Sequence, residues 1–568
     1  MFETPPLTRR AALRRITAGL GGATALSYLP DPAWAVISCP NACRSAIGPK
    51  DGWIKGLPII DAHCHIFNAR DIPAINFITK VLVPEYAGHL SAKHRRALEG
   101  EMKNLADGTL ARTPGYHQER AVLEALLAGE KISDRLSRKP EIHKFAEGTP
   151  HSCYGKDVAD PISAIRNLVS ILTDFRFRTF QALKSTYRTN IDGVAVALFT
   201  PSMVDMDYWL GNGLDGNNAA AGIGDDVETH PQATAAQQVE LMEMIQRLNP
   251  GQCHGFVSFC PWRQVDDLHY NSTSSGSAQR MTSLDVVRDA ILNRGFLGVK
   301  LYPPMGYRPF GNAELPLEAF PAAVAREAYA DNFGAALDEA LLSLYRFCAS
   351  NNVPVMAHAA PSNGAGLYKP AKGKVLSYKE RAHPEYWERV LAHPDLGNLQ
   401  LNLGHFGHSG TPEKQREWRR VIGRMMDARP NVYADLSYYS EMVLDNFTGS
   451  GQHCREAAGV LEPIRKNFLK RPAGDARVKR LLYGSDWSML SKEYYYGDYL
   501  SVVAHMYRRK IYGMSGGAKK NARAFLSGNA IRFLGLRKGE RARTRLDEWY
   551  AGHGLNARLL ERFDEVEN

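Results

Sequence analysis

The 568-residue chain is predicted to be an α/β protein, a TIM-type (β/α)₈ barrel with a large helical insertion after its first strand. Three observations predict it. Eight short, β-rich apolar runs recur along the chain, and helical stretches separate many of them, the alternation expected of parallel strands joined by crossover helices. Polar side chains of metal-binding type stand where several of those runs end. A barrel of about 250 residues with large insertions accounts for the length.

The first element is not part of the fold. Residues 1–35 open with Thr8-Arg9-Arg10-Ala11-Ala12-Leu13-Arg14, continue through a weakly apolar stretch over 16–29, and reach Ala33-Trp34-Ala35. That order is an export signal, with an apolar run too short to cross a bilayer of about 30 Å and small residues for a signal peptidase. Cleavage is predicted after Ala35. The paired arginines resemble a twin-arginine signal, a route that exports proteins already folded around their cofactors, and imply a bacterial periplasmic or secreted protein. An ordinary secretory signal with an accidental arginine pair is the alternative.

The eight runs cover residues 57–67, 193–199, 255–260, 296–302, 353–359, 399–406, 432–437 and 481–486. About 125 residues separate the first from the second, far more than one crossover helix requires. This insertion, at about 68–190, contains helix-like stretches over 119–127 and 160–185 and is predicted to form a helical cap over the barrel mouth. Residues 208–229, rich in Gly, Asn and Asp, read as an irregular loop. The barrel unit is taken as 36–536, closed by a helix over 519–536, and 537–568 as a charged helical tail. There is no internal repeat.

Composition narrows the function. With 44% hydrophobic and 23% charged residues, the chain has the make-up of a soluble globular protein. Removing the leader lowers the formal charge from +10 to +8, because four arginines and two acids leave with it. No nucleic-acid site is read into that balance, and the basic stretch 537–543 is taken as a solvated helix face. After the leader no segment is apolar enough to span a membrane. Eight cysteines in so long a chain do not make a disulfide framework; Cys39 and Cys43, just after the predicted cleavage site, could pair in an oxidising compartment with each other or with other cysteines, and spacing alone does not decide between these. The oligomeric state is not legible.

Barrel enzymes place catalytic groups at the carboxyl ends of their strands. The first run ends in Asp61-Ala62-His63-Cys64-His65, where strand alternation points both imidazoles to the barrel interior, about 7 Å apart, and turns Cys64 outward into packing. The fifth run ends at His358, the sixth at His405, and the eighth in Gly484-Ser485-Asp486-Trp487, which supplies a carboxylate. One histidine alone is more often a hydrogen-bonded core residue, but four strand-end coincidences outweigh that explanation. Nitrogen and oxygen donors without thiolates suit Zn²⁺ and also accept Mn²⁺, Fe²⁺ or Co²⁺.

The fourth run carries Lys300 in an otherwise apolar strand, and an unpaired buried ammonium would cost several kcal/mol. Three roles stay open for it: a carbamylated bridge between two metals, an ammonium for a substrate carboxylate, or a structural ion pair. Tyr302, Tyr307 and Arg308, just after that run, are candidates for substrate contact. Tyr438, Tyr439 and Trp487 would form an aromatic rim suited to an apolar substrate.

The order His-x-His, strand-four Lys, His, His, then Gly-Ser-Asp-Trp resembles the amidohydrolase superfamily, over about residues 59–536. Gly298-Val299-Lys300-Leu301-Tyr302-Pro303-Pro304 and Leu526-Ser527-Gly528-Asn529-Ala530-Ile531-Arg532-Phe533 are similar to its amidohydrolase-related branch of hydrolases and decarboxylases. The long insertion and the leader depart from the branch's compact cytosolic decarboxylases. The resemblance implies one divalent ion on His63, His65, His358 and Asp486 with His405 beside it, or a second ion on His358 and His405 with Lys300 bridging.

Three functions follow as expectations. In the first, a secreted metal-dependent hydrolase, an activated water attacks an ester, lactone or amide carbonyl of a small molecule, Asp486 takes and returns the proton, and His405 helps stabilise the oxyanion. In the second, a metal-dependent decarboxylase, His405 or Asp486 protonates the carbon that loses CO₂. The third is a periplasmic binding protein that has kept the barrel and lost the chemistry.

Overall fold

In a computed structural model of the protein, the described residues are 56–74, 77, 111, 113–130, 168, 171–187, 195–205, 233–274, 279–320, 329, 332–362, 364–368, 376–440, 476–491, 493, 496–500, 503 and 517–566. The export signal, Cys39, Cys43 and the loop expected at 208–229 lie outside them.

Each of the eight predicted runs overlaps a parallel strand. β1 (Ile59–Cys64) pairs with β2 (Val196–Pro201). β3 (Phe256–Ser258), β4 (Gly298–Leu301) and β5 (Val355–His358) are followed by a two-residue antiparallel pair, β6 (Leu367–Tyr368) and β7 (Leu376–Ser377), which the sequence did not announce. β8 (Leu401–Gly404), β9 (Val432–Asp435) and β10 (Leu481–Leu482) complete a six-stranded parallel sheet in the order β10-β9-β8-β5-β4-β3. After β1, β8 and β10 the chain continues, still buried, into the segments that carry His65, His405 and Asp486.

Backbone bonds continue past both edges of that sheet. Phe199 and Ser202, on and just after β2, bridge in parallel to Cys253 and Phe256. On the other side the Ala62 N–H donates to the Tyr483 carbonyl at 3.0 Å, and the Ser485 and Asp486 N–H groups donate to the His63 carbonyl at 3.1 and 2.7 Å.

The strand interiors are all apolar around a few buried polar groups, the pattern of strands covered on both faces. Helices over Ala235–Leu248, Ser283–Asn293, Phe333–Asn351, Glu385–Ala392 and Pro412–Ala428 connect successive strands of the parallel sheets. Their starts are legible in the sequence. Thr234 with Gln237, and Thr282 with Asp285, form reciprocal caps on the first two, and the Thr411 hydroxyl accepts from the Lys414 N–H on the last. The insertion contributes helices Tyr116–Leu127 and Arg176–Thr186 among the described residues. The predicted closing helix is two helices, Gly517–Arg523 and Asn529–Leu534, joined through a wider π-type turn in which the Ser527 hydroxyl donates to the Pro58 carbonyl, 2.7 Å away beneath β1. In the tail a helix spans Arg541–Gly552.

Candidate active site

Four non-glycine residues with left-handed backbone sit just beyond three adjacent strands: His405 (φ 65°) and Phe406 (φ 47°) after β8, Tyr438 (φ 54°) after β9, and Asp486 (φ 50°) after β10. Such conformations cost about 1–3 kcal/mol each and persist where the surroundings impose them. Here they turn side chains inward at the carboxyl ends of the strands. Glycines make the room: a Cβ on Gly484 would lie 2.7 Å from His63 Cβ, and one on Gly404 would lie 3.1 Å from His63 Cε1.

His63, His65 and Asp486 converge, each offering one ligand atom within 4.8 Å of the others. His65 Nδ1 donates to the Ser202 carbonyl at 2.8 Å, so its Nε2 carries the lone pair and faces Asp486 Oδ1 at 3.7 Å. Burial, and next the Lys300 ammonium, hold His65 well below the usual histidine range, so the ring is neutral. A neutral imidazole lone pair opposite a carboxylate is an arrangement of two electron donors, and a cation is what such a pair accommodates.

The fourth expected ligand is placed differently. His358 Nε2 lies 2.9 Å from the Ala360 carbonyl, which makes it a donor there, and the ring packs 4.6 Å from the His405 ring and 5.0 Å from that of Tyr302. It is not in the His63, His65, Asp486 group, and only its Nδ1 is left to bind an ion. Burial, then His405, push His358 well below the ordinary range.

His405 is buried beside His63, with ring centroids 4.8 Å apart. Burial, reinforced by His63, lowers it to about 3, so it is neutral across the physiological range. Lys300 Nζ is 2.9 Å from His63 Nε2 and 3.4 Å from Met356 Sδ. Burial lowers Lys300 from 10.5 to about 8, against the raising influence of Asp435 and Asp486.

Sequence reasoning missed the groups behind these rings. Asp435, fully buried at the end of β9, accepts from His63 Nδ1 at 3.0 Å, from the His405 N–H at 2.9 Å, from Asn402 Nδ2 at 2.7 Å and from the Ser437 hydroxyl at 2.6 Å. Burial pushes this carboxyl up, but His63 and its other donors together hold it well below the usual range. The Ser437 oxygen also lies 2.9 Å from both His63 Nδ1 and His405 Nδ1. The strand-end test would have found Asp435 had it been applied to the seventh run. Asp61, two residues before His63, is held by the Ser485 hydroxyl at 2.6 Å and N–H at 3.0 Å, and burial raises it to about 7 against those bonds.

The predicted substrate contacts are corrected in part. Tyr302, half-buried, bonds Ser362 through its hydroxyl at 2.8 Å beside His358. The Tyr307 hydroxyl instead accepts from the Tyr302 N–H at 3.0 Å, and Arg308 reaches the Gly311 carbonyl at 3.2 Å and lies over the Tyr386 ring. Tyr307 shapes its own loop, and Arg308 ties that loop to the helix Glu385–Ala392. Trp487 and Tyr439 are buried in the core, so the expected aromatic rim reduces to the half-buried Tyr438. Cys64 packs inside, as expected, and burial pushes its thiol up.

The fold and site define a parallel α/β protein with a histidine and carboxylate centre at its strand ends. Residues 282–536, a stretch that holds Lys300, His358, His405, Asp435 and Asp486, match the family model described as amidohydrolase. No curated protein matches the chain. Among solved structures it is similar to a 5-carboxyvanillate decarboxylase from Novosphingobium aromaticivorans, complexed with manganese and 4-hydroxy-3-methoxy-5-nitrobenzoic acid, at 11% identity and TM-score 0.36 over 86% of this chain and 99% of that one. A 4-oxalomesaconate hydratase from Rhodopseudomonas palustris aligns at 14% identity and TM-score 0.34, over 87% and 98%. A probable 2-pyrone-4,6-dicarboxylic acid hydrolase from Acinetobacter baumannii, with citric acid bound, aligns at 12% and TM-score 0.31, over 84% and 99%. Among the described residues no helix is long and apolar enough to cross a membrane.

Proposed function

We propose that the protein is a metal-dependent hydrolase acting on an ester, lactone or amide bond of a small organic molecule, on a closed eight-stranded barrel. The observation that carries the metal centre is the neutral His65 Nε2 facing Asp486 Oδ1 at 3.7 Å, with His63 in the same group. Closure is supported by the backbone bonds that link β2 to β3 and β1 to the segment after β10. His63, His65 and Asp486 would hold a divalent ion, with Zn²⁺ suited to the donors and Mn²⁺, Fe²⁺ or Co²⁺ compatible with them. Such an ion supplies Lewis acidity, acidifying a water and polarising a carbonyl oxygen.

The chain's own residues supply the rest. Asp486 takes a proton from the attacking water and returns it to the leaving group, a role open to a carboxylate held at the site's edge by its strained backbone. The buried rings of His63, His65, His358 and His405 exclude bulk water and strengthen every electrostatic contact inside. Tyr302 and Ser362, on the loops after β4 and β5, would meet the substrate. The arginine-paired leader supports export of the folded, loaded protein to the bacterial periplasm.

The deciding experiment pairs elemental mass spectrometry of purified protein with product analysis. One or two divalent ions per chain, lost in the His63→Ala, His65→Ala double variant, together with hydrolysis in an ester, lactone and amide panel, is the expected result. Carbon dioxide release from aromatic acids without hydrolysis would replace the hydrolase reading by the decarboxylase one. Selective binding without turnover in loaded protein would make it a binding protein.

A further inference from the structure

Behind the metal-binding face, one carboxylate and one hydroxyl contact two histidines at once. His63 Nδ1 is 3.0 Å from Asp435 Oδ2, and His405 Nδ1 is 2.9 Å from the Ser437 hydroxyl oxygen and 3.3 Å from the Ser437 carbonyl. The Ser437 hydroxyl has a single proton, and its shortest contact, 2.6 Å, is to Asp435 Oδ1. With that proton on Asp435, the hydroxyl oxygen can only accept from the two rings. Asp435 is held in turn by Asn402 Nδ2 at 2.7 Å and by the N–H groups of His405 and Ser437 at 2.9 and 3.1 Å.

We propose that Asp435 and Ser437 are positioning residues that fix both His63 and His405 as Nδ1–H tautomers and so reserve both Nε2 lone pairs for the active site. An independent contact agrees. Lys300 Nζ lies 2.9 Å from His63 Nε2, and an ammonium has protons to donate and no lone pair, so that nitrogen of His63 must be the acceptor. His405 is held the same way without Asp435 at its ring, because the Ser437 carbonyl is also only an acceptor. One consequence follows for the chemistry: His405 presents a lone pair to the site, so it accepts a proton or binds an ion, and the oxyanion donor expected of it from the sequence is not what this tautomer provides.

The two rings depend on different groups, and that difference makes the proposal testable. In Asp435→Asn the amide oxygen belongs on the Oδ1 side, where three donors meet, which turns the amide NH₂ toward His63 Nδ1. Asn402 can adapt by turning its own amide, whose Oδ1 has no hydrogen-bond partner. His63 would then have to accept at Nδ1 and carry its proton on Nε2, donating it to Lys300, which at that contact would have to be the neutral amine with its lone pair free to accept.

The experiment is two-bond ¹⁵N–¹H spectroscopy of the full, metal-free chain labelled in histidine, with rings assigned through His63→Gln and His405→Gln. We expect Nδ1–H at both rings in the wild type. In Asp435→Asn, His63 alone should move to Nε2–H, with Zn²⁺ affinity falling by about 10- to 100-fold. Ser437→Ala should keep both tautomers, because Asp435 and the residue 437 carbonyl stay in place. An Nε2–H proton on His63 in the wild type, or an Asp435→Asn variant in which His63 is unchanged or both rings shift together, overturns the proposal. If Asp435→Asn does not fold, loss of the His63 Nδ1–H in Ser437→Ala overturns it instead. The tautomers do not depend on the metalloenzyme reading: rings that behave as stated in a wild type that takes up no Zn²⁺ or Mn²⁺ would uphold the positioning role and remove the metal.

Discussion

Lys300 Nζ donates a 2.9 Å hydrogen bond to His63 Nε2, the same nitrogen that a metal would need. The lysine stands in the middle of β4 with burial lowering it from 10.5 to about 8. Folding therefore favours its neutral form. Below about pH 8 it is charged in both states and the burial cost is present in full; as pH rises to 10.5 the unfolded chain still holds the proton, and stability rises. The shift corresponds to about 3 kcal/mol. Lys300→Met in metal-free protein should thus be most favourable relative to wild type below pH 8 and lose about 3 kcal/mol of that advantage by pH 10.5. Urea titrations across the window measure it, and a flat difference would mean that Lys300 binds its proton normally.

Asp486 is proposed as ligand and general base together. Asp486→Asn keeps an oxygen donor in the same place but cannot take a proton. Metal content should stay above half of wild type while turnover falls by about 10²- to 10⁴-fold, the range for loss of a general base. Elemental analysis and initial rates on one preparation separate the two effects. Full activity in this variant would assign the proton transfer elsewhere.

Much of this arrangement is legible in the sequence. The eight strands were legible because parallel strands buried on both faces leave continuous apolar runs, and the strand-end rule then picked out His63, His65, His405 and Asp486. Residue spacing does not specify which way a ring turns, so His358, at the right strand end, points Nε2 at the Ala360 carbonyl instead of joining the group. Asp435 was passed over for a related reason. It meets His63 at Nδ1, behind the site, across 372 positions of sequence. Burial of Tyr307, Tyr439 and Trp487 follows from loop packing that no short pattern encodes.

Two glycines at strand ends carry a steric prediction. The Cβ of Gly484→Ala would sit 2.7 Å from His63 Cβ and 3.2 Å from Ser437 Cβ, so strand and ligand must move apart. The Cβ of Gly404→Ala would meet His63 Cε1 at 3.1 Å and the Ala357 carbonyl at 3.2 Å, a milder conflict that a tilt of the ring relieves in part. Overpacking of this kind costs about 1–3 kcal/mol. Gly484→Ala should lie at or above the top of that range and lose bound metal. Gly404→Ala should lie near the bottom and weaken the metal. Thermal melts with metal stoichiometry test the order, which a more stable Gly484→Ala would reverse.

The segment after the His63/His65 pair is anchored by a buried charge cluster. Arg176 grips Asp71 through Nε at 2.9 Å and through Nη2, and Glu119 through Nη1, while Asn68 Nδ2 donates to Glu119 at 2.9 Å. Two carboxylates share one guanidinium there, joining the chain just beyond β1 to helices 116–127 and 176–186. Burial, against the pull of Arg176, raises Glu119 from 4.5 to about 7. Its proton is therefore held more tightly in the folded state: the stabilising contribution is complete below pH 4.5 and disappears as pH rises through 7. Glu119→Gln, neutral at every pH, should flatten this part of the stability profile. Arg176→Met should instead cost about 3–5 kcal/mol at pH 8, because it leaves two buried carboxylates without their cation. Protease sensitivity within 68–190, rising in Arg176→Met while the helices that follow β3 to β9 stay protected, would locate the damage at the anchor. Equal sensitivity throughout the chain would show that the cluster supports the whole fold and not the insertion alone.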